Sequence, residues 1–358
     1  MNILMVNQDQ FGYKAGYYHY CKHLVKQGHQ ITYLCNDHNH PKMLIDGVDV
    51  IYIKEPSSIK WRKMFLAQIK ELKKNKKFDI VLCSYFRGCS ILKTVSKGLP
   101  VIIDIRSGDL NPNESKRKLY NRIIRFEASL FTHTMILSQS LANLLNLKEG
   151  SYDVVPLGAD AISTAPRTYD PIKMLYVGTL QQRNIHKTVE GMADFCDKYP
   201  NADIEYDIIG FGLPHEEALI KQIIEQRGLT GKVHFHGRIN YEKLQPFFNK
   251  ANLGVAFVPM TPYYDCQPST KIYEYVLSGM YCIATNTYEN RILIEPINGL
   301  ICDDNSESFS EALELYYKKN KISFDSEKIK QSMSQYLWES VINDKLLQLL
   351  KRHCDGSC

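Results

Sequence analysis

A polar loop and the helix expected after it hold the groups best suited to chemistry in this sequence. Pro268, Ser269 and Thr270 precede a segment with helical spacing that begins at Lys271 and carries Glu274 one turn further on. Helix N-termini present unpaired N–H groups and partial positive charge, which suit a phosphate, and Lys271 adds a full charge. A carboxylate at Glu274 is placed to accept two hydrogen bonds from a ribose diol. The pattern favours a pocket for a nucleoside diphosphate.

The elements around this loop support that interpretation. Apolar residues 253–259 and 281–285 predict buried strands on either side of the loop and helix. In an open parallel sheet, ligands bind outside the carboxyl ends of the strands, where this loop is expected to lie. The same residues are also typical of an ordinary capped helix with a favourable glutamate in its first turns. Both interpretations remain open at the level of these residues alone.

Strands and helices alternate along the whole chain, which predicts right-handed crossovers and doubly wound parallel sheets. The alternation stops at residues 163–171, which contain two prolines and no apolar period, and then starts again. We therefore predict an N-terminal domain at residues 1–162, a linker at 163–171 and a second domain at 172–330. Residues 331–358 are predicted as a C-terminal helix that crosses back to the first domain.

Composition limits the class of protein. The chain has 358 residues, 44% of them hydrophobic and 23% charged, which is typical of a globular protein with two domains. No apolar run approaches the roughly 18 residues of a membrane span, and the strand-like start of the sequence leads us to expect no secretory signal. The ten cysteines include no Cys-x-x-Cys pair and indicate reduced thiols. A cytoplasmic location is expected.

Charge is divided unevenly between the two halves. Residues 1–165 carry 23 Lys and Arg against 14 Asp and Glu, net +9, and the remainder carries net −4. Much of the excess lies at residues 57–77 and 115–125, where Trp61, Met64 and Phe65 lie between basic residues. One interpretation is a core helix with a solvated basic face. The other is a basic amphipathic helix that binds an anionic membrane surface peripherally.

A pair of histidines, His38 and His40, is close enough in sequence to suggest a metal site. Without nearby cysteines, the pair is better explained as part of a polar loop. No metal ligands are therefore assigned.

An ordered set of short motifs in the second half resembles the retaining glycosyltransferases of the GT-B fold, of the family 4 or group 1 type. The matching segments are VPLGAD at 155–160, YVGTL at 176–180 followed by Arg183, IIGFG at 208–212, VHFHGR at 233–238, FFNKAN at 247–252 and NGL at 298–300. Each motif is weak alone, but their order over residues 150–310 is specific. The resemblance implies two Rossmann-like α/β domains that face each other across a cleft.

The resemblance also implies roles for individual residues. Glu274 is similar to the second glutamate of the family's E-x7-E signature, which holds the donor ribose, and Arg183 resembles a basic residue that neutralises the donor diphosphate together with Lys271. Gly12 or Gly16 resembles the glycine of the first loop, and both remain candidates. The donor-binding set is completed by residues of the matching strand ends, namely Gly178, Thr179, Gly210 and Gly237, and by Pro268, Ser269 and Thr270.

The sequence departs from the signature at its first glutamate, whose place is taken by Cys266 with Asp265 before it. The sugar-facing carboxylate is therefore missing or displaced by one residue. In the first half, Asp104, Arg106 and Asp109 lie where relatives carry charged residues that face the cleft. They either orient an acceptor or donor phosphate, or form a buried pair that supports the fold.

The activity implied is transfer of a sugar, with retention, from a nucleoside diphosphate sugar to a carbohydrate or lipid-linked acceptor in surface polysaccharide or glycolipid assembly. Arg183, Lys271 and Glu274 are the expected catalytic-site residues, and no metal or other cofactor is expected. Two alternatives are a nucleotide-sugar epimerase of the same fold and a non-catalytic partner subunit that binds the nucleotide sugar. A nucleic-acid binder is disfavoured because no aromatic platform accompanies the basic residues.

Overall fold

The computed structural model describes residues 1–54, 58–109, 111, 113–131, 133–320 and 324–355, without the side chains of residues 58–62, 320 and 355. It divides into two compact units, and each is built on one parallel β-sheet. The first unit comprises Met1–Gly158 and Trp338–Cys358, and the second comprises Ala159–Leu337. The predicted α/β class with two Rossmann-like parallel-sheet domains is confirmed.

The first unit contains a parallel sheet of seven strands within the described residues, in the order β3-β2-β1-β4-β5-β6-β7. The strands are β1 (Asn2–Val6), β2 (Gln30–Asn36), β3 (Val48–Ile53), β4 (Ile80–Ser84), β5 (Val101–Ile105), β6 (His133–Ile136) and β7 (Tyr152–Val154), and the helices between them are α1 (Ala15–Lys26), α2 (Ser58–Asn75), α3 (Glu114–Ser129) and α4 (Gln139–Leu144). The chain winds outward from β1 in one direction and then from β4 in the other. The sheet is therefore doubly wound, with its switch point between β1 and β4.

Both faces of this sheet are buried, as a doubly wound sheet requires. Ile3 and Met5 belong to the apolar cluster on one face, whereas Leu4 and Val6 belong to the cluster on the other. This division follows from strand geometry, because successive side chains point to opposite faces. The near-continuous apolar character of the strands is its sequence signature.

The basic helix α2 is a core helix on one side. Phe65, Ile69 and Leu72 are buried in the apolar cluster, while Lys63 and Met64 are exposed. The helical spacing of these apolar residues therefore serves the core, and residues 55–57 and the side chains of 58–62, including Trp61, lie outside the description. No helix in the described ranges combines the length and the apolar composition needed to cross a bilayer.

The second unit contains a parallel sheet of six strands within the described residues, in the order β10-β9-β8-β11-β12-β13. The strands are β8 (Ile172–Thr179), β9 (Ile204–Phe211), β10 (Val233–Gly237), β11 (Leu253–Ala256), β12 (Tyr281–Thr285) and β13 (Gly299–Cys302), and the helices are α5 (His186–Lys198), α6 (Pro214–Gln226), α7 (Gln245–Lys250), α8 (Pro262–Asp265), α9 (Thr270–Leu277), α10 (Tyr288–Leu293), α11 (Ser306–Asn320) and α12 (Ser326–Gln331). The direction of winding again changes in the centre of the sheet, between β8 and β11.

Residues 163–171, predicted as a linker, instead pack within the second unit. Ser163 is buried, Arg167 donates a hydrogen bond to the carbonyl of Ser278 at 2.6 Å, and Tyr169 donates one to the carbonyl of Gly279 at 2.7 Å. The unit boundary falls earlier, between Gly158 and Ala159. The position of the segment is fixed by these hydrogen bonds and by the buried ring of Tyr169, which an apolar period does not reveal.

The chain returns to the first unit at Trp338, seven residues after the predicted start of the C-terminal segment at residue 331. It continues as α13 (Trp338–Val341), a π-helical turn (Ile342–Leu346) and α14 (Leu347–Asp355). Trp338, Leu346 and Leu350 are buried in the same apolar cluster as Ile3 and Met5 of β1. The end of the chain therefore forms part of the first unit's core.

Helix α9 is held against the centre of the second sheet by an unusually close contact. A Cβ atom at Gly254 of β11 would lie 2.4 Å from the ring of Tyr275 on α9, so only glycine permits this approach. The hydroxyl of the fully buried Tyr275 in turn accepts a hydrogen bond from the backbone N–H of Val177, at 2.9 Å. Since β11 pairs with β8 only at Met174 and Leu175, Tyr275 satisfies an amide further along β8.

We predict that Tyr275→Phe lowers the free energy of unfolding by about 1–3 kcal/mol, because the buried Val177 amide loses its acceptor. Chemical denaturation of the variant and the wild type measures the difference. Tyr288→Phe is the matched control, since Tyr288 is 42% exposed. Equal losses of stability in the two variants would contradict the role assigned to Tyr275.

Candidate functional site

A pocket of about 330 Å³ lies in the second unit, at the carboxyl ends of β8 and β11 and beside the start of α9. Its lining consists of strand ends, the loop that carries Arg183, and the segment from α8 to α9. The lining residues are Tyr176, Val177, Gly178, Thr179, Arg183, Val255, Ala256, Phe257, Val258, Tyr263, Tyr264, Gln267, Pro268, Ser269, Thr270 and Lys271. Seven predicted donor-site residues, from Gly178 to Lys271, are therefore brought together around one cavity.

The end of β8 forms one wall of the pocket. The hydroxyl of Tyr176 donates a hydrogen bond to the carbonyl of Thr179 at 2.6 Å, which fixes the turn out of the strand. Burial raises the pKa of Tyr176, so this hydroxyl stays protonated and acts as a donor. A Cβ atom at Gly178 would lie only 3.0 Å from the same hydroxyl oxygen. The backbone of Gly178 is therefore exposed to the cavity, whereas a side chain at this position would crowd the Tyr176 hydroxyl.

The loop after β8 places Arg183 at the pocket. Gln182 and Asn184 on either side both adopt left-handed backbone conformations, with φ of 55°. The Glu216 carboxylate accepts a hydrogen bond from the Gln182 amide at 2.8 Å, which holds the loop. The guanidinium carbon of Arg183 lies 4.5 Å from the ring centroid of Tyr264. This cation–π contact positions a positive charge at the cavity surface.

The first turn of α9 forms the opposite wall. Ser269 is the N-cap residue, but its side chain makes no capping hydrogen bond to the helix, and its own amide donates to the buried Asn290 at 3.3 Å. Asn290 is fixed in turn by donating to the carbonyl of Thr285 at 3.0 Å. The N-terminus of α9 therefore faces the cavity on a supported backbone. Such a terminus favours an anionic group.

The two predicted residues on α9 contact each other. The ammonium of Lys271 lies 2.6 Å from the carboxylate of Glu274, and their side chains are 24% and 16% exposed. Lys271 lines the cavity, whereas Glu274, one turn further along the helix, is not among the described residues that line it. Glu274 therefore competes with any bound anion for the positive charge of Lys271. The sequence did not indicate this ion pair.

The charge of the pocket favours an anion. Its lining contains two cations, Arg183 and Lys271, and no carboxylate belongs to the described residues that line it. Together with the N-terminus of α9, these groups can bind and neutralise a phosphate or diphosphate, and can stabilise negative charge that develops on a leaving group.

Two further predicted glycines have other positions. A Cβ atom at Gly210 of β9 would lie 2.0 Å from the carbonyl oxygen of Gly178, so this glycine allows close contact between neighbouring strands. Gly237 ends the edge strand β10 with φ of +67°. Of the described residues, neither Gly210 nor Gly237 is among those that line the pocket. The structure gives both glycines a backbone role, and their contact with a donor stays a prediction.

Gly12 and Gly16 belong to the first unit. Gly12 has φ of +92°, and a Cβ atom there would lie 2.3 Å from the sulfur of Met43. Gly16 lies in the first turn of α1, where a Cβ atom would meet Trp338 at an ordinary 3.7 Å. Gly12 is therefore the position that requires glycine. Which of the two approaches a donor stays a prediction.

Asp104 and Arg106 form a buried pair at the end of β5. The Arg106 Nε lies 2.6 Å from Asp104, whose side chain is completely buried, and the guanidinium also donates to the carbonyl of Val155 at 2.7 Å. These contacts favour the fold-support interpretation for both residues. Asp109 instead accepts hydrogen bonds from the Asn111 amide at 2.9 Å and from the Arg87 guanidinium at 3.4 Å. A role toward an acceptor stays a prediction for all three.

Asp265, one of the two candidates for the missing carboxylate of the signature, contacts the protein backbone in this structure, and its role towards a sugar stays a prediction. The Asp265 carboxylate accepts a hydrogen bond from the Tyr288 amide at 2.6 Å, at the start of α10. Cys266 is the C-terminal cap residue of α8 and is half-buried. The residues next to these two in the chain, Tyr263, Tyr264 and Gln267, line the pocket instead.

Nine residues that line the pocket were not predicted from the sequence, among them Tyr176, Tyr263, Tyr264 and Gln267. Tyr176 lies within an apolar strand, where nothing in the pattern separates it from the core. The adjacent pair Tyr263 and Tyr264 could have indicated the pocket. Two large aromatic residues in a polar loop at a strand end are expected to pack against another surface.

Comparisons with known proteins agree with this geometry. Residues 171–319 match the family model described as "Glycosyl transferases group 1", and residues 4–140 match the model described as "Glycosyl transferase 4-like". No curated protein sequence matches the chain. The two family matches together span most of the chain and include the whole pocket.

Solved structures share the fold at low sequence identity. Sucrose-phosphate synthase from Thermosynechococcus elongatus has a TM-score of 0.74 at 14% identity, with 100% of both chains covered. A glycosyltransferase from Rickettsia africae has a TM-score of 0.75 at 15% identity, with 98% of both chains covered. HepE from Anabaena has a TM-score of 0.72 at 14% identity, covering 98% of this chain and 100% of its own.

The pocket at the strand ends, the two-unit α/β architecture and the two family matches lead to one conclusion. The chain belongs to the group 1, family 4 type glycosyltransferases and has the GT-B fold.

Proposed function

We propose that the protein transfers a sugar from a nucleoside diphosphate sugar to a carbohydrate or lipid-linked acceptor, with retention at the anomeric carbon. The observation that carries the proposal is the pocket in which Arg183, Lys271 and the N-terminus of α9 converge on one cavity. These groups suit a diphosphate, and Glu274 lies next to Lys271 with a carboxylate that suits a ribose diol.

The proposed chemistry is stabilisation of a leaving group. As the bond between the sugar and the diphosphate breaks, negative charge grows on the phosphate oxygens, and fixed cations and backbone N–H groups lower the energy of that state. The acceptor hydroxyl attacks the same face of the sugar, and the departing phosphate takes its proton. No side chain is assigned as a nucleophile.

Uridine is the nucleoside we propose to test first. HepE has been crystallised with UDP and with UDP-glucose, and it shares the fold of this chain over nearly its full length. The identity between the two sequences is too low to transfer the sugar. The missing first glutamate of the signature, whose neighbour Asp265 holds the Tyr288 amide, also leaves the sugar open.

The ribose assignment is tested with two nucleotides and one substitution. Glu274→Ala is expected to weaken UDP binding by about 1.5–3 kcal/mol, because the ribose hydroxyls lose a charged acceptor. Binding of 2′,3′-dideoxy-UDP should change much less, since it lacks those hydroxyls. Isothermal titration calorimetry with both ligands measures the difference.

The controls separate this effect from loss of folding and from the Lys271 contact. Glu225→Ala, at an exposed position on α6, should leave both affinities unchanged. Lys271→Ala should weaken both nucleotides alike, because it removes a phosphate contact. Equal losses of UDP and dideoxy-UDP affinity in Glu274→Ala would remove Glu274 from the ribose and leave only its ion pair with Lys271.

We further propose that transfer needs no divalent cation, because Arg183, Lys271 and the helix N-terminus supply the positive charge. Donor turnover with a suitable acceptor should persist in excess chelator, and the product anomer, read by NMR, should match the donor. Activity that is abolished by chelator and restored by Mn²⁺ or Mg²⁺ would contradict the charge assignment. Scrambling of the donor sugar without an acceptor would identify an epimerase, and nucleotide-sugar binding without transfer would identify a non-catalytic subunit.

We also propose that a lipid-linked acceptor is reached at an anionic membrane surface, through residues 57–77. In the described part of this segment, Lys63, Met64 and Lys74 of α2 are exposed and Lys73 is partly exposed. The apolar face of the helix is buried in the core. Wild-type protein is expected to sediment with anionic vesicles at low salt and to dissociate as salt is raised. Changing Lys60, Arg62, Lys63, Lys73 and Lys74 to Gln should abolish sedimentation without changing UDP affinity.

The matched control for the vesicle experiment keeps the net charge change but moves it to the second unit. The control replaces five exposed lysines there with Gln, and sedimentation should persist. They are Lys198, Lys221, Lys243, Lys318 and Lys328. If the wild-type protein does not sediment with anionic vesicles at low salt, that result would favour an acceptor in solution.

A further inference from the structure

Two histidines and an aspartate meet in the first unit, and none of them lines the pocket described above. His133 begins β6, Asp153 lies on β7 and His353 lies on α14. One ligand atom from each residue lies within 4.8 Å of the other two. The His133 Nε2 is 2.6 Å from the Asp153 Oδ2, and the two imidazole ring centroids are 4.4 Å apart. The cluster joins two neighbouring strands, β6 and β7, to helix α14.

The chemistry of these side chains is that of a transition-metal site. Two imidazole nitrogens and one carboxylate oxygen form a ligand set that suits Zn²⁺ and neighbouring divalent cations, with one position left for water. His133 is almost fully buried, and Asp153 is 30% exposed, so the cluster is held by the fold and open to ions. Rigid placement and access are both needed for binding.

We infer that His133, Asp153 and His353 form a binding site for Zn²⁺ or a similar divalent transition-metal ion, which ties α14 to the edge of the first unit's sheet. The ion takes the place of the hydrogen-bonding proton between the His133 Nε2 and Asp153. That proton goes to solvent if the imidazole is charged, and to Nδ1 of the same ring if it is neutral. Ligand atoms around a tetrahedral zinc lie roughly 3.3 Å apart, given bonds of about 2.0–2.2 Å. The present distance of 2.6 Å between the His133 Nε2 and the Asp153 Oδ2 is shorter than that value, so side-chain rotation must widen this contact when the ion binds.

The positive charge of the neighbouring Arg352 opposes the binding of a metal cation at this cluster. Its guanidinium donates to both carboxylate oxygens of Asp153, at 3.1 and 3.3 Å, and its side chain is 60% exposed. A carboxylate has about four lone-pair positions, so Asp153 can keep this contact and still bind a metal. The positive charge nevertheless lowers the affinity. Removing Arg352 should therefore increase the affinity for the metal. If the cluster only supports the fold through hydrogen bonds, removing Arg352 would produce no such increase.

The experiment is a calorimetric titration of Zn²⁺ into the full chain, purified without a histidine tag and stripped with chelator. We expect one equivalent to bind. His353→Gln and Asp153→Asn should each weaken that binding by at least about tenfold, the lower end of what even a supporting residue costs at a metal site. Arg352→Gln should increase the affinity. The proposal thus predicts changes of opposite sign within one cluster.

The matched control is the double variant His38→Gln/His40→Gln. These histidines also lie close together, with ring centroids 6.1 Å apart, but on a loop where His38 contacts the carbonyl of Gln8 at 3.0 Å. Its Zn²⁺ affinity should equal that of the wild type, and circular dichroism should show that every variant is folded. Absence of one-equivalent binding in the wild type, unchanged affinity in His353→Gln and Asp153→Asn, or loss of binding in the control would each overturn the proposal. If either ligand variant fails to fold, Arg352→Gln alone decides, and unchanged affinity there would also overturn it.

Discussion

The close approach of α9 to the second sheet is the constraint on which the candidate site depends. Gly254 removes the side chain that would separate the helix from β11, and Tyr275 fills the space and bonds to the Val177 amide of β8. The helix axis is therefore fixed relative to two strand ends at once. Because a helix terminus exerts its electrostatic effect only within its first turn, a shift of this helix would separate the N-terminus from Gly178 and Thr179.

The cations of the pocket are already engaged in this structure, and this shapes how an anion binds. Lys271 contacts Glu274, and Arg183 lies over the ring of Tyr264. Binding of a diphosphate is then an exchange of partners and not the filling of a bare positive surface. Such an exchange reduces net affinity but favours ligands that satisfy both members of a pair, as a nucleotide with ribose hydroxyls and phosphates does.

Much of the fold could be predicted from the sequence because strand and helix periods are strong along this chain. The alternation gave two parallel sheets, and ordered motifs located the end of β8 and the start of α9. Other features depend on contacts that no period records. The segment 163–171 packs through polar bonds such as that of Tyr169 to Gly279, Tyr176 is hidden in an apolar strand, and Gly210 serves strand packing although it lies in a recognisable motif. The pairing of Lys271 with Glu274 was also not foreseen, because sequence spacing gives proximity but not partner choice.

The division of the chain gives its first unit an unusual dependence on synthesis order. Residues 1–158 emerge first, yet one face of their sheet packs against residues 338–350, which emerge only after the whole second unit. The second unit is continuous from Ala159 to Leu337 and can complete its core while the apolar cluster of the first unit still lacks Trp338, Leu346 and Leu350. Domains generally fold as units during synthesis, in order from the N-terminus. Here the connectivity reverses that order, so the half made first is the half finished last, and it is the one exposed to chaperones and to aggregation while the ribosome completes the chain.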